Sequence, residues 1–232
     1  MHEYFYRKGI VDIDFKNEKI DNILKELLSM KVKKDYFLKT KYQKTYDLRP
    51  EVYTYDPCFL SALKKNNVKE IVRKHTLRNL TLSHVQVRIV EDENSYMNWH
   101  RDTYYNQQGE LIGQAPAGVK VIYYPKFNDN EKEYGRLAYL EGSNRILFPT
   151  NTYDNQLFGI LKQNIVKPRT GKAILFDTAG LHAVIPENKG ERSIRLIYSF
   201  LEKEQIDNIS TDPQNIHQET SKLYEDMHIS KG

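Results

Sequence analysis

Leu80-Thr-Leu-Ser-His-Val-Gln-Val-Arg-Ile-Val90 is the stretch where the hydrophobic pattern of this chain changes from helical to alternating. Successive side chains of a strand point to opposite faces, so residues two apart share a face. The set that faces a packed layer is Ser83, Val85, Val87 and Ile89, and the other set is Leu82, His84, Gln86 and Arg88. We therefore predict a strand whose second, largely polar face borders solvent or a ligand cavity inside a barrel.

Short strands with closely spaced turn signals follow this stretch, whereas helical patterns precede it. Strands are predicted at 119–124, 135–145, 172–176 and 192–201. Helices are predicted after the capping residue Asn17, from Pro57 to about Lys65, and from Val68 to His75. This succession predicts a mainly β fold with α-helices, namely a double-stranded β-helix (jelly roll) with N-terminal helices packed on one sheet.

The length suits a single domain that spans residues 1–232. We expect a helical N-terminal cover over 1–79, a jelly-roll core over 80–201 and a polar C-terminal tail over 202–232. The tail is expected to hold one short helix around 213–227 or to be largely flexible.

Composition excludes several classes of protein. The formal charge of +4 is mild, and the lysine-rich stretch at 31–44 is typical of a solvated surface, which disfavours a nucleic-acid partner. No apolar run is long enough to span a membrane, and the N-terminus lacks the apolar stretch of a secretory signal. Cys58 is the only cysteine, which excludes an internal disulfide and a thiolate zinc cluster. A cytoplasmic protein is expected.

A candidate metal site lies in Asn98-Trp-His-Arg-Asp102. His100 and Asp102 are two residues apart, so on a strand or at its end they point the same way. A second histidine, His182, follows much later in the chain. Two histidines and one carboxylate on one face of an iron ion leave three positions open for chemistry. For any one of these residues alone an ordinary structural role is more common.

The last predicted strand suggests an anion site. Alternation along the strand puts Arg192 on the same face as Ile194, Leu196, Tyr198 and Phe200. We expect this face to point inward. An inward guanidinium without an acidic neighbour calls for an anionic ligand, for example a dicarboxylate that also binds the metal. The alternative is that Arg192 lies at a frayed strand end and points to solvent. Arg195 is a second arginine within reach, but parity and spacing favour Arg192.

Four motifs in order resemble the iron(II)/2-oxoglutarate-dependent dioxygenases, and in particular the phytanoyl-CoA dioxygenase branch. They are Trp99-His-Arg-Asp102, Gly135-Arg-Leu-Ala-Tyr-Leu-Glu-Gly-Ser-Asn144, Gly171-Lys-Ala-Ile-Leu-Phe-Asp177, and His182-Ala-Val-Ile-Pro-Glu-Asn-Lys-Gly-Glu-Arg192. Asn144 stands where that branch usually has histidine, at a turn position that binds no ligand. The resemblance covers roughly residues 80–201.

The resemblance implies iron(II) held by His100, Asp102 and His182, with 2-oxoglutarate and O2 as cosubstrates. It implies that Arg192 binds the distal carboxylate of 2-oxoglutarate and that Gln86 reaches the same molecule. Arg88 and Tyr105 would line the substrate side, whereas Asp177 and Glu141 would be structural. Because Asp102 is present, where the halogenating relatives have a small residue, hydroxylation with release of succinate and CO2 is expected.

The substrate class follows less directly from the sequence. A basic, tyrosine-rich chain suits a small polar metabolite or natural-product intermediate, and no motif supports a coenzyme A ester. One alternative is a non-enzymatic, cupin-like ligand binder, although cupins use His-x-His where this chain has His-x-Asp. Another is an oxygenase that acts on nucleic acid or protein. The sequence leaves the oligomeric state open.

Overall fold

The computed structural model describes residues 1–29, 37–39, 45–48, 57–91, 97–102, 104–105, 111–112, 118–125, 136–146, 151–166, 171–185 and 192–208. The strands are β1 Ile10–Asp14, β2 Phe37–Lys39, β3 Thr45–Leu48, β4 Thr81–Glu91, β5 Met97–His100, β6 Tyr104–Tyr105, β7 Leu111–Ile112, β8 Val119–Tyr123, β9 Arg136–Leu140, β10 Gln163–Ile165, β11 Lys172–Asp177, β12 His182–Ile185 and β13 Arg192–Leu201. The α-helices are α1 His2–Lys8, α2 Glu18–Ser29, α3 Pro57–Lys65, α4 Val68–Thr76 and α5 Lys203–Asn208, and 3-10 helices cover Ser143–Arg145 and Asn151–Gly159.

Two antiparallel sheets carry the fold. Among the described residues, the major sheet has seven strands in the order β1-β11-β8-β13-β4-β3-β2, and the minor sheet has four in the order β10-β9-β12-β5. Strands β6 and β7 form a separate pair. Neighbours in both sheets are mostly distant in sequence, as when β13 pairs with β4 on one side and β8 on the other. The prediction of a mainly β protein with helices is confirmed.

The N-terminal helices cover the outer face of the major sheet. Helix α2 begins where predicted, because the side chain of Asn17 accepts a hydrogen bond from the backbone N–H of Ile20 at 3.3 Å. Its apolar stripe of Ile20, Leu24 and Leu27 is buried. This stripe shares one core with residues of α3, α4 and the outer face of the sheet, including Val85, Val87, Ile89, Leu196 and Tyr198.

A second, smaller core lies between the two sheets. It joins Ile122, Phe176 and Ile197 of the major sheet to Leu137 and Tyr139 of the minor sheet. Side chains of the major sheet therefore divide by parity, one set facing the helices and the other facing the minor sheet. Of the polar set predicted on β4, His84, Gln86 and Arg88 belong to the second face. Leu82 instead packs in the core beneath the helices, because the register with β13 shifts between Ser199 and Phe200.

The N-terminal 79 residues contribute strands as well as helices. Strand β1 pairs with β11 at one edge of the major sheet, and β3 pairs with β4 near the other. The expected helical cover over 1–79 is therefore also part of the sheet. In the tail, α5 covers Lys203–Asn208, and the helix expected around 213–227 lies outside the described residues. Within the described part of the chain, no helix combines the length and hydrophobicity needed to cross a bilayer.

Candidate metal centre

His100 and His182 face each other across neighbouring strands of the minor sheet. They are register partners in the β5–β12 pair, and their ring centroids are 4.3 Å apart. Asp102 follows β5, and its Oδ1 lies 3.7 Å from Nε2 of His100 and 3.8 Å from Nε2 of His182. One ligand atom from each residue lies within 4.8 Å of the others. The structure thus brings together the three residues predicted to bind metal.

Backbone carbonyls orient both imidazoles in the same manner. Nδ1 of His100 is 2.6 Å from the carbonyl oxygen of Asn98, and Nδ1 of His182 is 2.9 Å from that of Gly180. A carbonyl only accepts, so each Nδ1 carries a proton, and in the neutral imidazole Nε2 then presents a lone pair. Nε2 of His100 is buried and has no hydrogen-bond partner among the described residues. Two imidazole lone pairs and a carboxylate oxygen that converge in this way fit a divalent transition metal.

Burial and charge keep His182 and Asp102 in the protonation states that a metal site would require. Burial lowers the pKa of His182 to about 4, against the opposing field of Asp102, so this ring is neutral near pH 7. Burial would raise the pKa of Asp102, but the Lys120 ammonium and the neighbouring imidazoles hold that pKa well below its usual range. Nζ of Lys120 lies 2.6 Å from Oδ2 of Asp102.

Arg101 anchors the segment between His100 and Asp102. Its side chain is fully buried and donates to Oδ1 of Asp154 at 3.0 Å. It also donates to the carbonyl oxygens of Ser143 at 2.8 Å, Ile146 at 2.9 Å and Ala179. One guanidinium therefore joins the end of β5 to both 3-10 helices and to the turn before His182.

The turn between β11 and β12 presents His182. The backbone N–H of Asp102 donates to the carbonyl oxygen of Thr178 at 3.1 Å, which ties the two ligand-bearing segments together. Gly180 packs directly against the Tyr139 hydroxyl, where a Cβ atom would overlap it. Tyr139 in turn donates to the carbonyl oxygen of Asp177 at 3.1 Å.

Asp177 and Glu141 make contacts that suit a structural role. Oδ1 of Asp177 accepts from the backbone N–H of Ala179 at 2.9 Å within the turn. Glu141 pairs with Lys8 of α1 and accepts from the side chain of Asn164 at 3.1 Å. Both carboxylates thus join segments of the fold to one another.

The polar residues of β4 form a second charged group on the inner face of the major sheet. Arg88 makes a two-point ion pair with Asp47, with Nε to Oδ1 at 2.7 Å and Nη2 to Oδ2 at 2.8 Å. Gln86 donates to the same carboxylate at 3.3 Å. In this structure Gln86 and Arg88 therefore share one partner, Asp47, which the sequence did not single out. The side chain of Tyr105 lies outside the described residues.

The residues that share a face of β13 with Arg192 lie elsewhere than predicted. Ile194, Leu196, Tyr198 and Phe200, the set to which it belongs, pack against the helices and not against the minor sheet. The other set includes Ile197, which lies between the sheets, and Arg195, of which only 4% is exposed. Arg195 is the register partner of Arg88. The backbone of Arg192 begins β13, and its side chain lies outside the described residues. Helices cover the face that carries the largest apolar set, so this set does not line the space between the sheets. The cosubstrate role of Arg192 stays a prediction.

Lys120 and Arg101 were also missed. Lys120 lies between Val119 and Val121, so its side chain points to the face opposite to theirs. This signal becomes informative only once helices are known to cover the face of the two valines. Arg101 has no such signal, because its hydrogen-bond acceptors lie in three distant segments.

Comparison with known proteins finds similarity in fold but not in sequence. No protein-family model matches the sequence, and no curated protein matches it. Among solved structures, HygX from Streptomyces hygroscopicus, crystallised with nickel and 2-oxoglutarate, superposes with a TM-score of 0.64 at 15% identity, over 88% of this chain and 87% of HygX.

Two enzymes of nogalamycin biosynthesis superpose on this chain with similar TM-scores and lower sequence identity. The α-ketoglutarate-dependent epimerase SnoN has a TM-score of 0.63 at 11% identity, over 87% of this chain and 81% of SnoN. The α-ketoglutarate-dependent carbocyclase SnoK has a TM-score of 0.61 at 10% identity, over 86% and 82%. This chain shares the fold of these structures. Crystallised neighbours thus hold nickel or iron with 2-oxoglutarate, and this chain has a His-Asp-His group that fits such a metal.

Proposed function

We propose that this protein is an iron(II)- and 2-oxoglutarate-dependent oxygenase with a jelly-roll core. The observation that carries the proposal is the convergence of His100 Nε2, His182 Nε2 and Asp102 Oδ1, with both histidine tautomers set by backbone carbonyls. These three residues would hold the metal on one side and leave its other positions open. Iron at this site would supply the oxidation of a C–H bond, coupled to conversion of 2-oxoglutarate and O2 to succinate and CO2.

The protein residues fix ligand geometry and exclude water. Arg101 and the Gly180 turn hold the two ligand-bearing segments in register, and Phe176 packs its ring 5.1 Å from that of His182. The site therefore lies against an apolar wall on one side and the polar face of β4 on the other. Such a site suits chemistry in which a reactive group must be kept from bulk solvent.

We propose Arg195, in place of Arg192, as the residue that pairs with the distal carboxylate of 2-oxoglutarate. Arg195 is buried on the face of β13 that points to the minor sheet, and therefore to the proposed metal ligands. A buried guanidinium favours an anionic partner and can make two parallel hydrogen bonds to a carboxylate. Gln86 and Arg88 lie on the same face of the neighbouring strand.

The proposed substrate is a small, polar metabolite or natural-product intermediate, and the proposed reaction is its hydroxylation. HygX was crystallised with hygromycin B and SnoN with nogalamycin RO, both small molecules, which supports this substrate class. An aspartate at position 102 supports hydroxylation within the phytanoyl-CoA dioxygenase-like branch. SnoK and SnoN are named as a carbocyclase and an epimerase, so product analysis must distinguish hydroxylation from other oxidations on this fold.

Succinate release tests the proposal. The purified protein, supplied with iron(II), ascorbate, O2 and 2-oxoglutarate, is expected to form succinate slowly alone and faster with a matching metabolite from a screened panel. The Asp102→Ala variant is the control, and its background should match a reaction without protein. Equal succinate formation by the wild type and this variant would show that the triad is not an oxygenase centre.

A further inference from the structure

We propose that Lys120 is a positioning residue that occupies the outer oxygen of Asp102 and so keeps this carboxylate a one-oxygen metal ligand. The inference rests on the proposed function, because it concerns the metal held by His100, Asp102 and His182.

The strand register places Lys120 on the inner face of the major sheet. Its direct neighbours are Phe176 on β11 and Ser199 on β13. Phe176 lies in the core between the sheets and contacts the ring of His182. Val119 and Val121, on either side of Lys120, belong to the core beneath the helices. Lys120 therefore reaches the metal centre from the sheet opposite the one that carries both histidines.

The two oxygens of Asp102 have different surroundings. Oδ1 lies 3.7 and 3.8 Å from the two imidazole Nε2 atoms, on the side where a metal would sit. Oδ2 lies 2.6 Å from Nζ of Lys120. A charge-assisted hydrogen bond of this length holds the carboxylate plane and competes with a metal for the lone pairs of Oδ2. The backbone bond from Asp102 to Thr178 fixes the other end of the residue.

Partial burial makes this bond effective. The side chains of Lys120 and Asp102 are 25% and 14% exposed, so water competes with the pair only in part. An aspartate that bound through both oxygens would take one of the three open positions that 2-oxoglutarate and O2 together need. Lys120 would prevent this and so preserve the open positions of the metal.

Removing Lys120 should change coordination geometry more clearly than metal affinity. Loss of the Lys120 ammonium charge strengthens binding of a divalent cation, whereas loss of the fixed Asp102 orientation weakens it. The two effects on metal affinity therefore oppose each other. Both effects weaken binding of the anionic cosubstrate. In the Lys120→Met protein loaded with manganese(II), we expect 2-oxoglutarate affinity to fall by about 10-fold to 100-fold.

The decisive experiment is the visible d–d spectrum of the cobalt(II)-loaded protein without 2-oxoglutarate. Lys120→Met should change the band positions and intensities of this spectrum. Lys172→Met is the matched control, since Lys172 forms an exposed ion pair with Asp14 at 2.6 Å at the end of β11, and its spectrum should equal that of the wild type. Restoring the ammonium by treating Lys120→Cys with 2-bromoethylamine should restore the spectrum; the native Cys58 is buried.

The outcomes separate the two proposals. If Lys120→Met, folded by circular dichroism, gives the wild-type cobalt spectrum while Asp102→Ala loses cobalt, the role of Lys120 is refuted and the metal centre stands. If the wild type itself binds no cobalt, the proposed function and the role of Lys120 fail together. If aminoethylation of Lys120→Cys does not restore the spectrum of the metal-loaded protein, the ammonium is not the cause and the inference is overturned.

Discussion

His100 and His182 are direct register partners on adjacent antiparallel strands, with ring centroids 4.3 Å apart. The pairing of β5 with β12 sets this distance. The backbone of the minor sheet therefore positions two of the three proposed metal-binding residues. Each ring also donates from Nδ1 to a carbonyl two residues earlier in the chain. The geometry of the site therefore depends on the turns and clamps that hold these two strands in register.

Gly180→Ala tests the close approach of the β11–β12 turn to Tyr139. An added Cβ would overlap the tyrosine hydroxyl, so either the turn or the ring must move. We expect destabilisation of about 1–3 kcal/mol by urea denaturation, as for other overpacked sites, together with weaker metal binding. Gly159→Ala is the control, because its Cβ would meet nothing within 4 Å. Equal effects of the two substitutions would count against the role of this turn.

Arg101→Gln tests the clamp between the metal ligands. The substitution leaves Asp154 buried without its cation and removes the guanidinium bonds to the carbonyls of Ser143, Ile146 and Ala179. Removing one partner of a buried pair costs about 3–5 kcal/mol, and a loss of this size is expected in the free energy of unfolding. Arg145→Gln, at an exposed arginine 5.9 Å from the Tyr6 ring, should cost less than about 1 kcal/mol. A smaller loss at Arg101 than at Arg145 would show that the clamp is not needed.

Arg195→Met and Arg192→Met distinguish the two candidate partners of the cosubstrate. Loss of a buried charge-paired guanidinium costs about 2–5 kcal/mol, so Arg195→Met should weaken 2-oxoglutarate binding by about 30-fold or more. Arg192→Met should change it by less than about threefold. Calorimetric titration of the anaerobic manganese(II) protein measures both. The reverse order of effects would restore the assignment made from the sequence.

His75 should make stability depend on pH. The ring is buried against Phe5 of α1, and burial, with the nearby N-terminal ammonium, lowers the pKa of His75. The unfolded chain takes up a proton near pH 6.5 that the folded protein resists, so the free energy of unfolding falls as pH falls through this range.

Urea denaturation of the metal-free protein at about pH 7.5 and pH 5.5 measures the effect of His75. His75→Gln should lose less stability than the wild type over this interval. The comparison isolates His75, because the lowered pKa of His182 acts in the same direction in both proteins. Parallel losses in the two proteins would exclude a contribution from His75.

Local signals explain why much of the fold was predictable. The N-cap at Asn17, the strand that follows Leu80 and the bounds of the last strand depend on neighbouring residues, and all were found. The strands β1 and β3 were missed because their membership of the major sheet comes from pairing with β11 and β4. The spacing of His100 and Asp102 predicted their common direction, whereas their meeting with His182 required a motif comparison.

The two faces of β13 could not be assigned from the sequence for the same physical reason. Parity along β13 correctly separates two faces, but it does not tell which face meets helices and which meets the second sheet. That distinction depends on α2, α3 and α4, which cover one side of the major sheet. The sequence thus limited the choice to two arginines, and tertiary packing favoured Arg195.

Anaerobic titration of iron(II) into the protein with excess 2-oxoglutarate tests the central proposal most directly. Chelation of iron by 2-oxoglutarate produces a weak visible charge-transfer band, which we expect to saturate at one iron per chain. The band should be absent from Asp102→Ala and His182→Ala, whose iron affinity should fall by at least about 100-fold. A wild-type titration without the band, or one that both variants reproduce, would contradict the assignment of this site.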